Sequence, residues 1–167
     1  MANYVPSIVI DDVITALGTF LQPFVGSADI IRAEVNRVAP PAGPFVELTE
    51  LMTVDLETPH TWNHADQITS IKGPTRIDVQ VDFYGPASGD WCRAVKGVFR
   101  TPYAASQFPC NIKPLYCSDG TQAPLMTGEE QYEVRWVLTA SLQYNPVIMV
   151  PQQSADALAM NVVEELP

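Results

Sequence analysis

RIDVQVDFYGPASGDWCRAVKGVFR, residues 76–100, decides the fold. Ile77, Val79, Val81 and Phe83 alternate with Asp78, Gln80, Asp82 and Tyr84, the period-two pattern of a strand with one buried face. Gly85-Pro86 ends that pattern. From Trp91 onward, Trp91, Ala94, Val95, Val98 and Phe99 recur at helical spacing, with Arg93, Lys96 and Arg100 on the other side. The spacing predicts a strand followed by a helix from Ser88 to about Arg100, opened by Ser88 or Asp90. The stretch holds no nucleophile beside a base and no phosphate-binding loop. It is written as architecture.

Downstream, EQYEVRWVLTASLQYNPV repeats the alternation. Tyr132, Val134, Trp136, Leu138, Ala140 and Leu142 face the core, and Asn145-Pro146 closes the strand. Upstream, FVELTELMTVDLET (45–58) places Val46, Leu48, Glu50, Met52, Val54 and Leu56 on a buried face. Phe45, Glu47, Thr49, Leu51, Thr53, Asp55 and Glu57 lie on the other. The polar PHTWNHADQ predicts a loop, leading into a long strand from Ile68 to Tyr84 that is bent at Lys72-Gly73-Pro74. At the N-terminus, Ile10, Val13, Ile14, Leu17, Phe20 and Leu21 predict a helix with Ser7 as a possible cap, stopped by Pro23 and Gly26. ADIIRAEVNRV reads equally as strand or helical turn, APPAGP as a rigid connector, TPYAASQFPCNIKP as turn and loop, and LYCS as a short strand.

These elements, about two helices and about four strands, predict an α+β fold. Its sheet is mostly antiparallel, with the helices packed on one face and the other face polar. Residues 1–150 are expected to form a single domain and residues 151–167 an extended tail with a weak helical tendency near Ala155 to Met160.

Composition narrows the function. The chain of 167 residues carries a net charge of −10, which disfavours direct gripping of a nucleic-acid backbone. No basic residue falls between Arg37 and Lys72, whereas Glu47, Glu50, Asp55, Glu57 and Asp66 do. A basic leader and an apolar run of roughly 18 residues are both lacking, so a soluble protein made in a cytoplasm is expected. Cys92, Cys110 and Cys117 form no CxxC, and reduced thiols are expected, with a Cys110–Cys117 bridge as the alternative.

Candidate chemistry is sparse. His60 and His64 could share a helical face near Asp66 and hold a metal, but Pro59 and Asn63 favour a solvated loop. The carboxylates of 45–58 could supply an acid and a base, but no spacing sets two of them around a pocket. Cys92 at a helix start would be a nucleophile only with a histidine brought from a remote loop. No cofactor is expected. Trp62 and Tyr84 have no obvious inner place: each either anchors an interface or is covered by the chain's own proline-rich loops.

RAEVNRVAPPAGPFVELTEL, IDVQVDFYGPASGDW, TGEEQYEVRWVLTASLQYNP and VPQQSADAL, in that order from Arg32 to Leu158, resemble the neck and tail-terminator family of tailed phages and prophages. The resemblance implies a structural virion protein without catalytic residues. It implies an α+β subunit of a ring, commonly a hexamer, at the head–tail junction. The ring caps the tail tube and meets the head connector or head-completion protein, while DNA passes without specific binding. The family offers no contact to carry over residue by residue; the acidic strand face and the aromatics without an inner place make Glu47, Asp55, Glu57, Trp62 and Tyr84 the expected interface or lumen residues, the carboxylates making the lumen acidic. The alternatives are another neck or tube protein, or a small metal-dependent hydrolase using His60 and His64.

Overall fold

The computed structural model describes residues 4–33, 41–64, 67–123, 125–126 and 132–152. The sheet is built around β5 (Thr75–Tyr84), flanked by β10 (Arg135–Tyr144) and β2 (Phe45–Asp55), both antiparallel to it. β1 (Asp29–Arg32) lies parallel outside β2, β6 (Ile112–Cys117) borders β10, and β7 (Thr121–Gln122) continues that edge. α1 (Ile10–Val25), α2 (Ser88–Phe99) and α3 (Pro102–Gln107) complete the fold, with α2 packed on β5, β6 and β10. The architecture is α+β, mostly antiparallel, as the alternation requires.

Period two explains why β5 sits at the centre. Ile77, Val79, Val81 and Phe83 are fully buried on the helix side, joined there by Leu138, Ala140 and Leu142 of β10 and by Val46 and Leu48 of β2. Each large apolar side chain buried this way contributes about 1.5–3 kcal/mol. α2 covers them with Cys92, Val95 and Phe99, while Ala94 faces solvent and Trp91 and Val98 flank the stripe. Phe99 then meets Phe20 of α1 edge-on at 5.8 Å and Phe108 at 6.4 Å, so one aromatic cluster joins the helices. Gly85 makes the exit from β5: its φ is +111°, and a Cβ there would lie 2.9 Å from Pro44.

Several expectations are corrected. TPYAASQ contains a third helix, α3, opened by Thr101 and Pro102. Pro23 lies inside α1, which runs on to Val25 before Gly26 ends it. Ser7 does not cap that helix. Asp12 accepts the Val9 N–H at 2.9 Å instead, and Ser7 pairs with Val147 through both its N–H and its Oγ. The ambiguous ADIIR segment is the parallel strand β1.

The largest departures concern residues 51–72. The expected loop contains a strand, β3 (His60–Asn63), and the long strand from Ile68 is two strands. β4 (Ile68–Lys72) leaves the main sheet and pairs with β3 on one side and β11 (Val147–Pro151) on the other. Gly73-Pro74 makes the break, because proline lacks the donor a ladder needs. This second sheet projects from the Thr75 end of β5, and Ser70 is its one buried residue. A pair of two-residue strands, β8 (Leu125–Met126) and β9 (Tyr132–Glu133), forms a small separate ladder, so the last long strand begins at Arg135 and not near Gln131. The weak helical tendency near Ala155 to Met160 lies outside the described residues.

β2 carries a bulge at Leu51, between Glu50 and Met52. One extra residue exchanges the two faces. Glu47 and Thr49 pair with Asp82 and Gln80 on the polar face, but Thr53 and Asp55 pair with Ile77 and Thr75 on the opposite one. Met52 emerges across from Asp78 and is half exposed. The apolar face proposed for 45–58 therefore holds only through Leu48, and Glu47 and Asp55 do not share a face.

Candidate assembly surfaces

Among the described residues three surfaces could serve partners: the polar face of the main sheet, the projecting second sheet, and a cavity at the start of α2. The polar face is a bonded network. Arg135 donates to Asp82 Oδ1 from Nε at 3.0 Å and from the terminal nitrogen at 2.9 Å, and Gln80 donates to Asp82 Oδ2 at 2.7 Å. Asp82 is 1% exposed although no helix covers it. Ser141 donates to Asp78 at 2.6 Å, and Arg76 pairs with the same carboxylate at 3.2 Å. Burial opposes the Arg135 charge, but hydrogen bonds and attraction from Asp82 outweigh it and raise its pKa. Both arginines of this face are therefore held by carboxylates.

Tyr84 belongs to this network. It is 6% exposed, stacked on Phe45 at 4.3 Å, and lies under the Arg135 guanidinium at 5.6 Å. Burial pushes its phenol up to about 12, so it is neutral at pH 7 and donates to Glu47 at 3.3 Å. The expectation that Tyr84 has no inner place is corrected: cross-strand stacking supplies one.

The second sheet behaves differently. Every residue of β3 is exposed, and Trp62 reaches 69%. Glu57 lies 3.2 Å from His60 Nε2, while His64 Nε2 lies 3.1 Å from Ser70 Oγ. The two histidines thus have different partners on an extended segment, not a shared helical face. Among the described residues no cluster of three His, Cys, Asp or Glu could hold a metal, and Asp66 lies outside them. β3 is also an open edge of its ladder, a position that a single chain ordinarily blunts or covers.

The cavity, of about 520 Å³, opens between the start of α2 and β10, lined by Gly89, Cys92, Gly120 and Trp136 and by the charged side chains of Asp90, Arg93, Lys96 and Asp119. A Cβ on Gly120 would sit 2.5 Å from Cys92 Sγ, so only glycine permits this packing. Burial, reinforced by Cys117, pushes the Cys92 thiol up to about 11. It is a neutral packing group and not the activated nucleophile that a helix start would suggest. All three cysteines are free, so the Cys110–Cys117 bridge is not formed.

Of the five expected site residues, the fold brings Glu47 and Tyr84 together on the polar face. It groups Asp55, Glu57 and Trp62 at the projecting end of the molecule. Sequence reasoning missed the Arg135–Asp82 pair and the cavity. A signal existed for the first: on alternating strands, an isolated Arg and Asp both fall on the polar faces.

Residues 11–165 match the sequence profile of a family described as phage neck terminator protein. Among solved structures, the chain is similar to the sheath/tube terminator of an extracellular contractile injection system, determined by cryo-EM in the extended state. The identity is 10% and the TM-score 0.46, with 97% of this chain and 66% of that chain covered. A comparison with curated proteins finds no match. The profile match runs nearly end to end: the chain belongs to the phage neck terminator family, whose members are structural virion components of the tail and neck and not enzymes.

Proposed function

We propose that the protein assembles as a homo-oligomeric ring of six copies that caps the tail tube and joins it to the head connector. Family membership over residues 11–165 is the observation that carries this reading. The surfaces support it physically. A closed ring of identical subunits needs two dissimilar patches on each copy, one meeting the other on the next. The exposed β3 edge with Trp62 and the cavity beside α2 are dissimilar and lie at opposite ends of the sheet. Native mass measurement tests the ring: a discrete multiple of the 18.3 kDa chain that binds the ends of preassembled tubes is expected. A persistent monomer without affinity for tube ends, or copolymerisation with tube subunits, overturns it.

The polar face of the main sheet is our candidate for the conduit wall. Free cations on such a wall would bind phosphates and release counterions, retaining the DNA. Arg76 and Arg135 are instead tied to Asp78 and Asp82, and Glu47 remains as a partly exposed carboxylate. The wall on this reading is nearly neutral with a slight negative balance, less acidic than the strand's carboxylates suggest. Glu47→Lys would place one free cation per subunit on it, and the infectious fraction of assembled particles should fall on the order of tenfold. Asp55→Lys, on the opposite face, should leave DNA passage unchanged. Equal effects from the two substitutions would remove the assignment of the wall.

A further inference from the structure

We propose that Trp62 of one subunit seats in the cavity beside α2 of the next, making this contact the joint of the ring. The inference rests on the ring reading above and names its partner as a second copy of this chain. Trp62 is the most exposed large apolar side chain among the described residues, and none of those residues covers it. The cavity of about 520 Å³ offers the complementary chemistry. Its wall includes the Trp136 indole and the Cys92 sulfur, against which Gly89 and Gly120 pack so closely that a Cβ on either would be crowded. A Cβ on Gly89 would already stand 3.0 Å from the Trp136 Nε1 atom. An incoming indole would meet an aromatic face and a sulfur, both favourable contacts for it.

Charge points the same way. The strand end and turn before Trp62 carry Asp55 and Glu57, both exposed, whose side-chain partners among the described residues are Thr75 and His60. The charged residues lining the cavity are Asp90, Arg93, Lys96 and Asp119, with Arg100 just beyond the end of α2. Lys96 is paired with Asp119, and Asp90 sits in the first turn of the helix. Arg93 and Arg100 have no acidic partner among the described residues. Arg93 at the rim can therefore face Glu57 of the neighbour while its guanidinium lies against the inserted indole.

The two patches cannot meet within one subunit. Trp136 pairs with Phe83 near one end of β5, whereas the second sheet projects beyond Thr75 at the other. That is roughly 25 Å of extended strand. Knob and socket at opposite ends of one molecule make a head-to-tail contact, which closes into a ring when the rotation between copies permits.

Two surface substitutions test the joint, Trp62→Ala and Arg93→Glu. Both side chains are exposed, so both variants should keep the wild-type melting transition. Each alone should weaken assembly roughly thirtyfold, the effect of removing one interface anchor. Mixed in equal amounts, they should form a two-subunit species by native mass measurement and stop there. The Arg93→Glu chain still offers a tryptophan to the intact socket of the Trp62→Ala chain, and no second joint can follow. Rings that resist dilution as well as the wild type does in either single variant overturn the joint while leaving the ring itself intact. Trp62→Ala rings that no longer bind tube ends also overturn it and reassign Trp62 to the tube. A mixture that remains monomeric shows that the two residues do not face each other. Wild-type protein found only at the chain mass overturns the ring reading, and the joint with it.

Discussion

Replacing Arg135 with methionine is expected to destabilise the protein by about 3–5 kcal/mol, because it strands Asp82 without its counter-charge. Asp82 is 1% exposed and receives two hydrogen bonds from Arg135 and one from Gln80. Without the guanidinium, a carboxylate in that position keeps one amide donor and loses the charge that compensates its desolvation. The double variant Asp82→Leu with Arg135→Met should recover most of the loss, since an apolar pair of similar volume needs no compensation. Chemical denaturation of the two single variants and the double variant checks this. A double variant no more stable than Arg135→Met alone would mean that the guanidinium acts mainly through its stacking on Tyr84. The result bears on assembly too, because the same pair keeps a cation off the polar face.

That pair also shows where sequence reading stops. The alternation of β5 is legible because its two faces differ sharply: Ile77, Val79, Val81 and Phe83 against Asp78, Gln80, Asp82 and Tyr84. Helix α2 is legible for the same reason, although its buried stripe turns from Trp91 and Ala94 toward Cys92 and Val95. The partner of Asp82, by contrast, lies 53 residues away and is chosen by the register of β10 on β5, which alternation alone does not fix. Strand β3 was hidden because all four of its residues are exposed, leaving no periodic contrast to read. The bulge at Leu51 was hidden too, and it has the larger consequence. One inserted residue moves Asp55 to the face opposite Glu47, dividing the supposed acidic strip between two surfaces. Trp62 was visible as a large residue without an inner place. Its socket was not, since Gly89, Cys92, Gly120 and Trp136 meet only when α2 closes over β10. Site legibility here follows contrast along the chain and fails wherever the site is assembled across it.

The second large effect is expected at Phe99. Its side chain is fully buried at the end of α2, in edge contact with Phe20 of α1 and Phe108 after α3. Phe99→Ala removes the ring that three helical segments share. The cost should be about 3–5 kcal/mol, the range for a buried phenylalanine whose cavity cannot collapse. Collapse is restrained because α1 is also held by its packing on α2, and α3 is anchored by Lys113, whose ammonium donates to the Ala105 carbonyl at 2.9 Å. For a chain of this length the melting temperature should fall on the order of 10 °C. Phe99→Leu, which refills most of the space, should cost less than half as much. The loss should be nearly the same in the free chain and in the assembled ring, because Phe99 is fully buried at the end of α2 and lines neither the socket nor the surface around Trp62. A Phe99→Ala protein that melts like wild type but fails to assemble would place the Phe99 end of α2 at the joint between subunits, in conflict with a contact made at the Gly89 end of that helix.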